Sequence, residues 1–162
     1  MMQTRTYEFE TREPDLAVMQ SMSGLDYLRG VLLGDYPAAP ISATLNFYPV
    51  EFEVGRAVFE GTPERYAYNP LGIVHGGWAA TILDSAMGCA VHSTLPAGKV
   101  YTTIDLSISL VRALTTRSKR VRCEAQVIHG GGTIATAQAR LLDDRGVLCA
   151  HGTTTCLVMS PK

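Results

Sequence analysis

From Pro14 to Leu33 the apolar residues Leu16, Met19, Leu25, Leu28 and Leu32 recur near helical spacing, and Gly24 and Gly30 interrupt them. One or two short helices are predicted. Gly34 to Pro40 is rich in breakers. Beyond it, Leu45 to Phe52 and Glu53 to Glu60 alternate in strand fashion around Gly55-Arg56, the pattern of an antiparallel hairpin. Thr62 to Ile73, with Pro63, Asn69, Pro70 and Gly72, reads as a loop. A helix follows from about Val74 to His92, with Trp78, Ile82, Leu83, Met87 and Val91 falling on nearly all sides. A helix this apolar must be wrapped by other elements. Strands are predicted near Val100 to Val111, Ser118 to Ile128, Thr133 to Asp143 and Gly146 to Met159, with Asp143-Asp144-Arg145-Gly146 as a hairpin turn. One buried helix against a long antiparallel sheet is a two-layer α+β plan.

The 162 residues suffice for one domain with a substantial core, and 46% hydrophobic with 18% charged residues is ordinary for a globular protein. The pattern shows no internal repeat and supports neither a signal peptide nor a membrane span. A formal charge of −1 argues against a nucleic-acid partner held by bulk positive charge. Cys89, Cys123, Cys149 and Cys156 form no Cys-x-x-Cys pair, and His75, His92, His129 and His151 lack the spacing of paired ligands. The cysteines read as small apolar residues in a reducing cytoplasm, and no metal site is expected.

The candidate chemistry sits in Asn69-Pro-Leu-Gly-Ile-Val-His75-Gly76-Gly77, directly ahead of the apolar helix, and in Asp84, the only carboxylate of that helix. Two glycines at a helix start let a ligand atom approach backbone N–H groups that have no intrahelical partner. The helix dipole favours negative charge at the same end. Asp84 follows His75 by nine residues, which sets them about half a turn and ~13 Å apart. One helix therefore cannot present the glycine N–H groups and Asp84 to one atom. Two helices meeting antiparallel across a two-fold axis could, which predicts composite sites in a dimer.

The spaced Asn69, His75-Gly76-Gly77 and Asp84 set resembles the phenylacetate-pathway (PaaI-like) acyl-CoA thioesterases of the hotdog-fold superfamily. Thr102-Thr103-Ile-Asp105-Leu-Ser-Ile-Ser-Leu-Val-Arg112 resembles that family's strand after the helix, and Gly146-Val-Leu-Cys-Ala150-His-Gly-Thr-Thr-Thr its closing strand. The likeness spans about residues 40 to 158. It implies a hotdog domain over residues 41–160 behind an N-terminal helical extension, 1–40. It also implies hydrolysis of an acyl-CoA by a homodimer or dimer of dimers, without a metal or redox cofactor.

Residue by residue, the resemblance makes Asp84 the general base or nucleophile and the Gly76 N–H the group that polarises the thioester carbonyl. Gly77 stands beside it, or serves tight packing. Asn69 lies near the carbonyl or the acid, or is a turn residue before Pro70. His75 orients the helix start. Thr103 holds the attacking water, and a one-residue slip would exchange it with Thr102. Asp105 alternates onto the face of Thr103, with an arginine as its expected partner, and Asp84 itself could pair with Arg112. Trp78 and Met87 are candidate walls of the acyl pocket. Coenzyme A phosphates would meet the basic run Arg112, Arg117, Lys119, Arg120, Arg122, which also reads as a solvated strand edge. Gly131 and Gly132 stand where relatives carry a Gly-Arg or Gly-Lys turn, and glycine N–H groups can bind phosphate. Leu110-Val111-Arg112-Ala113 departs from the frequent Phe-Leu-Arg-Pro. A non-catalytic acyl-CoA binding module and a hotdog hydratase or dehydratase are the alternatives.

Overall fold

The computed structural model describes residues 2–161. Three short helices come first: α1 (Leu16–Ser21), α2 (Gly24–Leu33) and α3 (Pro40–Leu45). The hairpin β1 (Phe47–Glu53) and β2 (Arg56–Gly61) leads into α4 (Gly76–His92), and β3 (Val100–Leu110), β4 (Val121–Gly130), β5 (Ile134–Leu142) and β6 (Leu148–Met159) complete the chain. The six strands form one antiparallel sheet in the order β1-β2-β4-β5-β6-β3.

The sheet wraps α4. Ile82, Leu83, Ala86, Met87, Ala90 and Val91 have no exposed surface. They meet an inner sheet face of small and medium residues, among them Ala57, Ala125, Ala137, Ala139 and Cys156. Small side chains on the strands let the helix approach closely, and each large helix residue enclosed this way contributes about 1.5–3 kcal/mol. Trp78 and Met87, expected as pocket walls, are instead core residues at 3% and 0% exposure, and the Trp78 indole N–H donates to Leu45 O at 2.7 Å. An all-round apolar helix does not reveal which of its sides faces a ligand, and here the sheet takes both residues.

Two local features depart from the sequence reading. The connection after Gly34 contains α3, which starts with Pro40 in its first turn and ends on Asn46 in the left-handed region. Proline supplies the helical φ in advance, and asparagine tolerates the αL cap. In β3 the register against β6 slips between Thr103 and Asp105: Thr103 faces Cys156, whereas Asp105 faces Thr155. Cys156 points into the core and Thr155 does not, so Asp105 lies on the face opposite Thr103 and forms no ion pair among the described residues. The extra residue of a bulge breaks the strict alternation from which the shared face was inferred.

The sheet's two borders differ. β1 carries Pro49 and a bulge, and α2 and α3 pack against it. β3 has no strand beyond it among the described residues, and Ile104, Leu106, Leu110 and Val111 are 37–58% exposed along it. Among the described residues no helix is long and apolar enough to cross a membrane.

Candidate active site

The start of α4 is held by short-range bonds. His75 is the N-cap, extended at φ −62° and ψ 138°, and its Nδ1 accepts the Gly77 N–H at 2.8 Å. The His75 N–H in turn donates to Ala67 O and the Val74 N–H to Leu114 O. This settles a division of labour between the glycines. The Gly77 N–H is spent on the cap, while the Gly76 N–H has no acceptor among the described residues. A β-carbon on Gly76 would sit 2.6 Å from Leu110 Cδ1, so the bare backbone there opens toward the end of β3.

Around this point lies a cleft of about 210 Å³, lined by His75, Gly76, Ala79, Leu110, Arg112 and Leu114 among others. Arg112 is exposed and, with Arg117, has no ion-pair partner among the described residues. The rest of the basic run is occupied. Arg120 pairs with Glu60, Arg122 bridges Glu51, Glu60 and Glu124, and Lys119 lies 3.7 Å from Asp144. Of the proposed phosphate contacts, Arg112 is thus the one that faces the cleft.

Asp84 is half-buried on α4, and the Thr103 hydroxyl donates to its Oδ1 at 3.0 Å. Thr102 pairs with Leu157 on the outer face of the sheet, away from α4. Strand alternation thus separates the two threonines, and Thr102 cannot share a site with Asp84. Asp84 has no cationic partner among the described residues, Arg112 included. Eight residues separate it from Gly76, ~12 Å along the axis, and it does not line the cleft. Within one chain the free Gly76 N–H and the Asp84 carboxylate are therefore held apart.

Asn69 shapes the loop. Its Oδ1 accepts from the Leu71 and Ile73 N–H groups at 2.9 and 3.4 Å, and its own N–H reaches Ile73 O. This is the turn role open to an asparagine before proline. The side-chain NH₂ remains as a donor without an acceptor among the described residues. Gly131 and Gly132 form the turn between β4 and β5, where the Gly131 N–H donates to Ile134 O, and neither lines the cleft.

The neighbours of Asp84 include residues that sequence reasoning passed over. Tyr101 lies two residues before Thr103 on the same face of β3, and Gly88 lies one helical turn after Asp84. The two meet: a β-carbon on Gly88 would be 2.5 Å from the Tyr101 hydroxyl. The signal was present in the periods themselves, i−2 on the strand and i+4 on the helix. Cys89 and Cys156 also border the carboxylate. Burial, with Asp84 acting in the same direction, pushes the Cys89 thiol up to about 12, so it stays protonated and is no nucleophile near neutral pH. Among the described residues no three His, Cys, Asp or Glu side chains are grouped as metal ligands.

A family model described as Thioesterase superfamily matches residues 71–150, from the loop before α4 into β6. A "putative esterase" of Halobacterium salinarum is 43% identical over 69 residues, 41% of this chain and 44% of that protein, so the match spans less than half the length of this relative. Among solved structures, a phenylacetic acid degradation-related protein of Ralstonia eutropha JMP134 superposes with a TM-score of 0.74 at 26% identity, over 81% of this chain and 98% of its own. A Streptococcus mutans protein bound to acetyl CoA superposes with a TM-score of 0.65 at 23% identity, over 72% and 91%. At that identity the second likeness speaks for the fold alone, which is the hotdog fold expected from the sequence.

Proposed function

We propose that the chain, whose residues 71–150 match the thioesterase superfamily, hydrolyses an acyl-CoA thioester to a carboxylic acid and free CoA, as a homodimer with composite sites. In each site Asp84 of one subunit works against the Gly76 N–H of the other. The observation that carries this reading is the Thr103-held carboxylate on the helix, with no cation among the described residues to neutralise it. A half-buried acid without a counter-ion is costly unless it has a task.

The chemistry follows from the two half-sites. The thioester oxygen lies against the Gly76 N–H at the positive end of α4, where the donor and the helix dipole stabilise the oxyanion of the tetrahedral intermediate. Thr103 occupies Asp84 Oδ1 and leaves Oδ2 free. Oδ2 either takes a proton from water as the water adds to the carbonyl carbon, or attacks that carbon to give an anhydride that water then opens. In both routes the C–S bond breaks on collapse, and the CoA thiolate leaves and takes up a proton. Arg112 beside the cleft meets a phosphate of CoA, and the acetyl CoA bound to the Streptococcus mutans neighbour is consistent with that ligand class. The exposed apolar border of β3 is the proposed dimer seam, and dimers pair further into tetramers. The reaction calls on no metal or redox cofactor, nucleic acid or membrane, and CoA esters place it in the cytoplasm.

The alternatives differ in chemistry. A hydratase needs a histidine and an acid together, whereas His75 Nδ1 is engaged by Gly77. A binding module would hold acyl-CoA without turnover. The test is thiol release from a panel of aryl, short and medium acyl-CoA esters by the wild type, Asp84→Asn and Asp84→Ala. Turnover falling by ~10²–10⁴ in both variants, with fold and assembly retained, is expected. Saturable binding without hydrolysis by the wild type would replace this reading with the binding module.

A further inference from the structure

The chain ahead of α1 has no role in the mechanism above, and its attachment to the domain is unusual. Among the described residues no backbone–backbone hydrogen bond joins residues 2–14 to the rest of the domain. Tyr7 and Phe9 remain 42% and 55% exposed, so apolar burial adds little to its hold. A crevice of about 550 Å³ lies between the segment and the domain, bordered by Glu8, Phe9 and Glu10 on one side and by Ser42, Phe47 and Tyr48 on the other. Among the described residues, the hydrogen bonds that tie the segment down come from one side chain, Arg5.

Arg5 meets two elements at once. Its Nη1 and Nη2 donate to Thr44 O and Ala43 O at 2.7 and 3.0 Å, two carbonyls in the last turn of α3. Carbonyls at a helix end lack intrahelical donors, and an arginine there supplies them. The guanidinium also lies 4.0 Å from the centroid of the Tyr66 ring and 4.5 Å from that of Tyr7. Tyr66 belongs to the turn Arg65–Ala67. These two elements are the supports of the donor end of α4. Leu45 O, next after Thr44, accepts the Trp78 indole N–H, and Ala67 O, next after Tyr66, accepts the His75 N–H, both at 2.7 Å. One guanidinium thus joins both supports, each a single residue away from a bond that fixes the first turn of α4 and with it the Gly76 N–H.

Resting on the thioesterase reading, we propose that Arg5 is a positioning residue: it clamps α3 to the Arg65–Ala67 turn and so sets where the Gly76 N–H meets the thioester oxygen. Arginine suits the task because its planar fork donates to two neighbouring carbonyls while its face rests on aromatic rings, a combination closed to a lysine ammonium. Without the clamp the two supports move independently, and a donor displaced by about 1 Å loses much of its hold on the oxyanion. The CoA arm is held elsewhere, at Arg112, so the loss falls on the chemical step and spares binding.

The experiment compares the wild type with Arg5→Ala, Arg5→Lys and Arg12→Ala in two readouts. One is kcat and KM on the acyl-CoA ester of the panel above that the wild type hydrolyses fastest. The other is acrylamide quenching of Trp78, the single tryptophan of the chain. Arg12 is exposed and paired with Glu10 in the same segment, so its variant controls for the removal of a positive charge. Arg5→Ala is expected to lower kcat about tenfold with KM within roughly twofold of the wild type. Quenching should rise in the same variant, because the Trp78–Leu45 bond loses its brace. Arg5→Lys should stand between Arg5→Ala and the wild type in both readouts, and Arg12→Ala should match the wild type. A merely structural role would lower the melting temperature and leave kcat of the folded protein unchanged, and that result overturns the proposal. If the wild type hydrolyses no ester, the thioesterase reading falls and quenching alone judges the clamp: equal quenching in the wild type and Arg5→Ala overturns it.

Discussion

The two borders of the sheet are built for opposite fates. β1 has Pro49, which offers no N–H, and a bulge that bends the strand. Its outer face carries Glu51 and Glu53, paired with Arg56 and, for Glu51, with Arg122. Proline, bulges and charge are the usual devices that keep a strand from adding another. β3 is longer, at 11 residues, holds neither proline nor lysine, and exposes Leu106 at 37% and Leu110 at 58% on the side that faces α4. Left bare, it would be an aggregation site. The difference teaches that one border is closed to a further strand, whereas the other is an open edge, the one on which the proposed dimer rests. β3 is also the strand that carries Thr103, which ties the proposed dimer seam to the proposed chemistry.

Charging the two borders tests the contrast most severely. Leu106→Lys on β3 is expected to shift the protein to monomer in sedimentation and to lower kcat/KM on any accepted ester by ~100-fold or more, since the half-sites no longer meet. Tyr48→Lys on β1 exposes a similar area of strand and is expected to leave both oligomeric state and turnover alone, with stability inside about ±0.5 kcal/mol. Equal effects at both borders would erase the distinction.

A smaller effect sharpens the link between β3 and the acid. Thr103→Val keeps the shape of the side chain and removes the donor to Asp84 Oδ1, and kcat is expected to fall roughly 10- to 100-fold, the worth of one hydrogen bond to a carboxylate. Dimerisation should persist. Thr102→Val on the outer face should change neither.

The smallest effect comes from the closed end of α4, where His92 is 7% exposed between Tyr27 and Tyr101. Burial lowers its pKa from 6.5, so the folded protein binds fewer protons than the unfolded chain below that pH. Stability from this residue is full above about pH 6.5 and falls as the pH drops further. The melting temperature should decline more steeply between pH 7 and pH 5 in the wild type than in His92→Gln.

Much of this was legible in the chain. The strands announced themselves by alternation, and the hairpin after β5 by Asp143, whose Oδ1 accepts the Arg145 and Val147 N–H groups while Gly146 takes φ 76°. α4 was legible because ten of its 17 residues are buried and few polar ones interrupt them. α3 was not, because six residues are too few to show a period, although Pro40 and Asn46 were punctuation for it. The bulge at Ile104 was hidden because it is a property of the pairing with β6, which sequence alternation along β3 does not record. For the same reason the Thr102/Thr103 ambiguity needed the register. Tyr101 escaped because a lone tyrosine in a strand reads as core until its hydroxyl is seen facing a helical glycine.

The central claim is that one site needs Asp84 from one subunit and the Gly76 N–H from the other. Proline is accepted at a first helical position, and His75 already has the extended backbone that proline demands of its predecessor. Gly76→Pro therefore removes the N–H while keeping the helix start, and Gly76→Ala, which retains the N–H with a similar β-carbon, serves as its control. The measurement is thioester hydrolysis by Asp84→Asn and Gly76→Pro proteins, each alone and after subunit exchange. Each alone should be inactive. A statistical mixture should recover about a quarter of wild-type activity, because half the dimers are mixed and each of those holds one intact site. No recovery on mixing, with exchange verified by mass, would contradict the composite site.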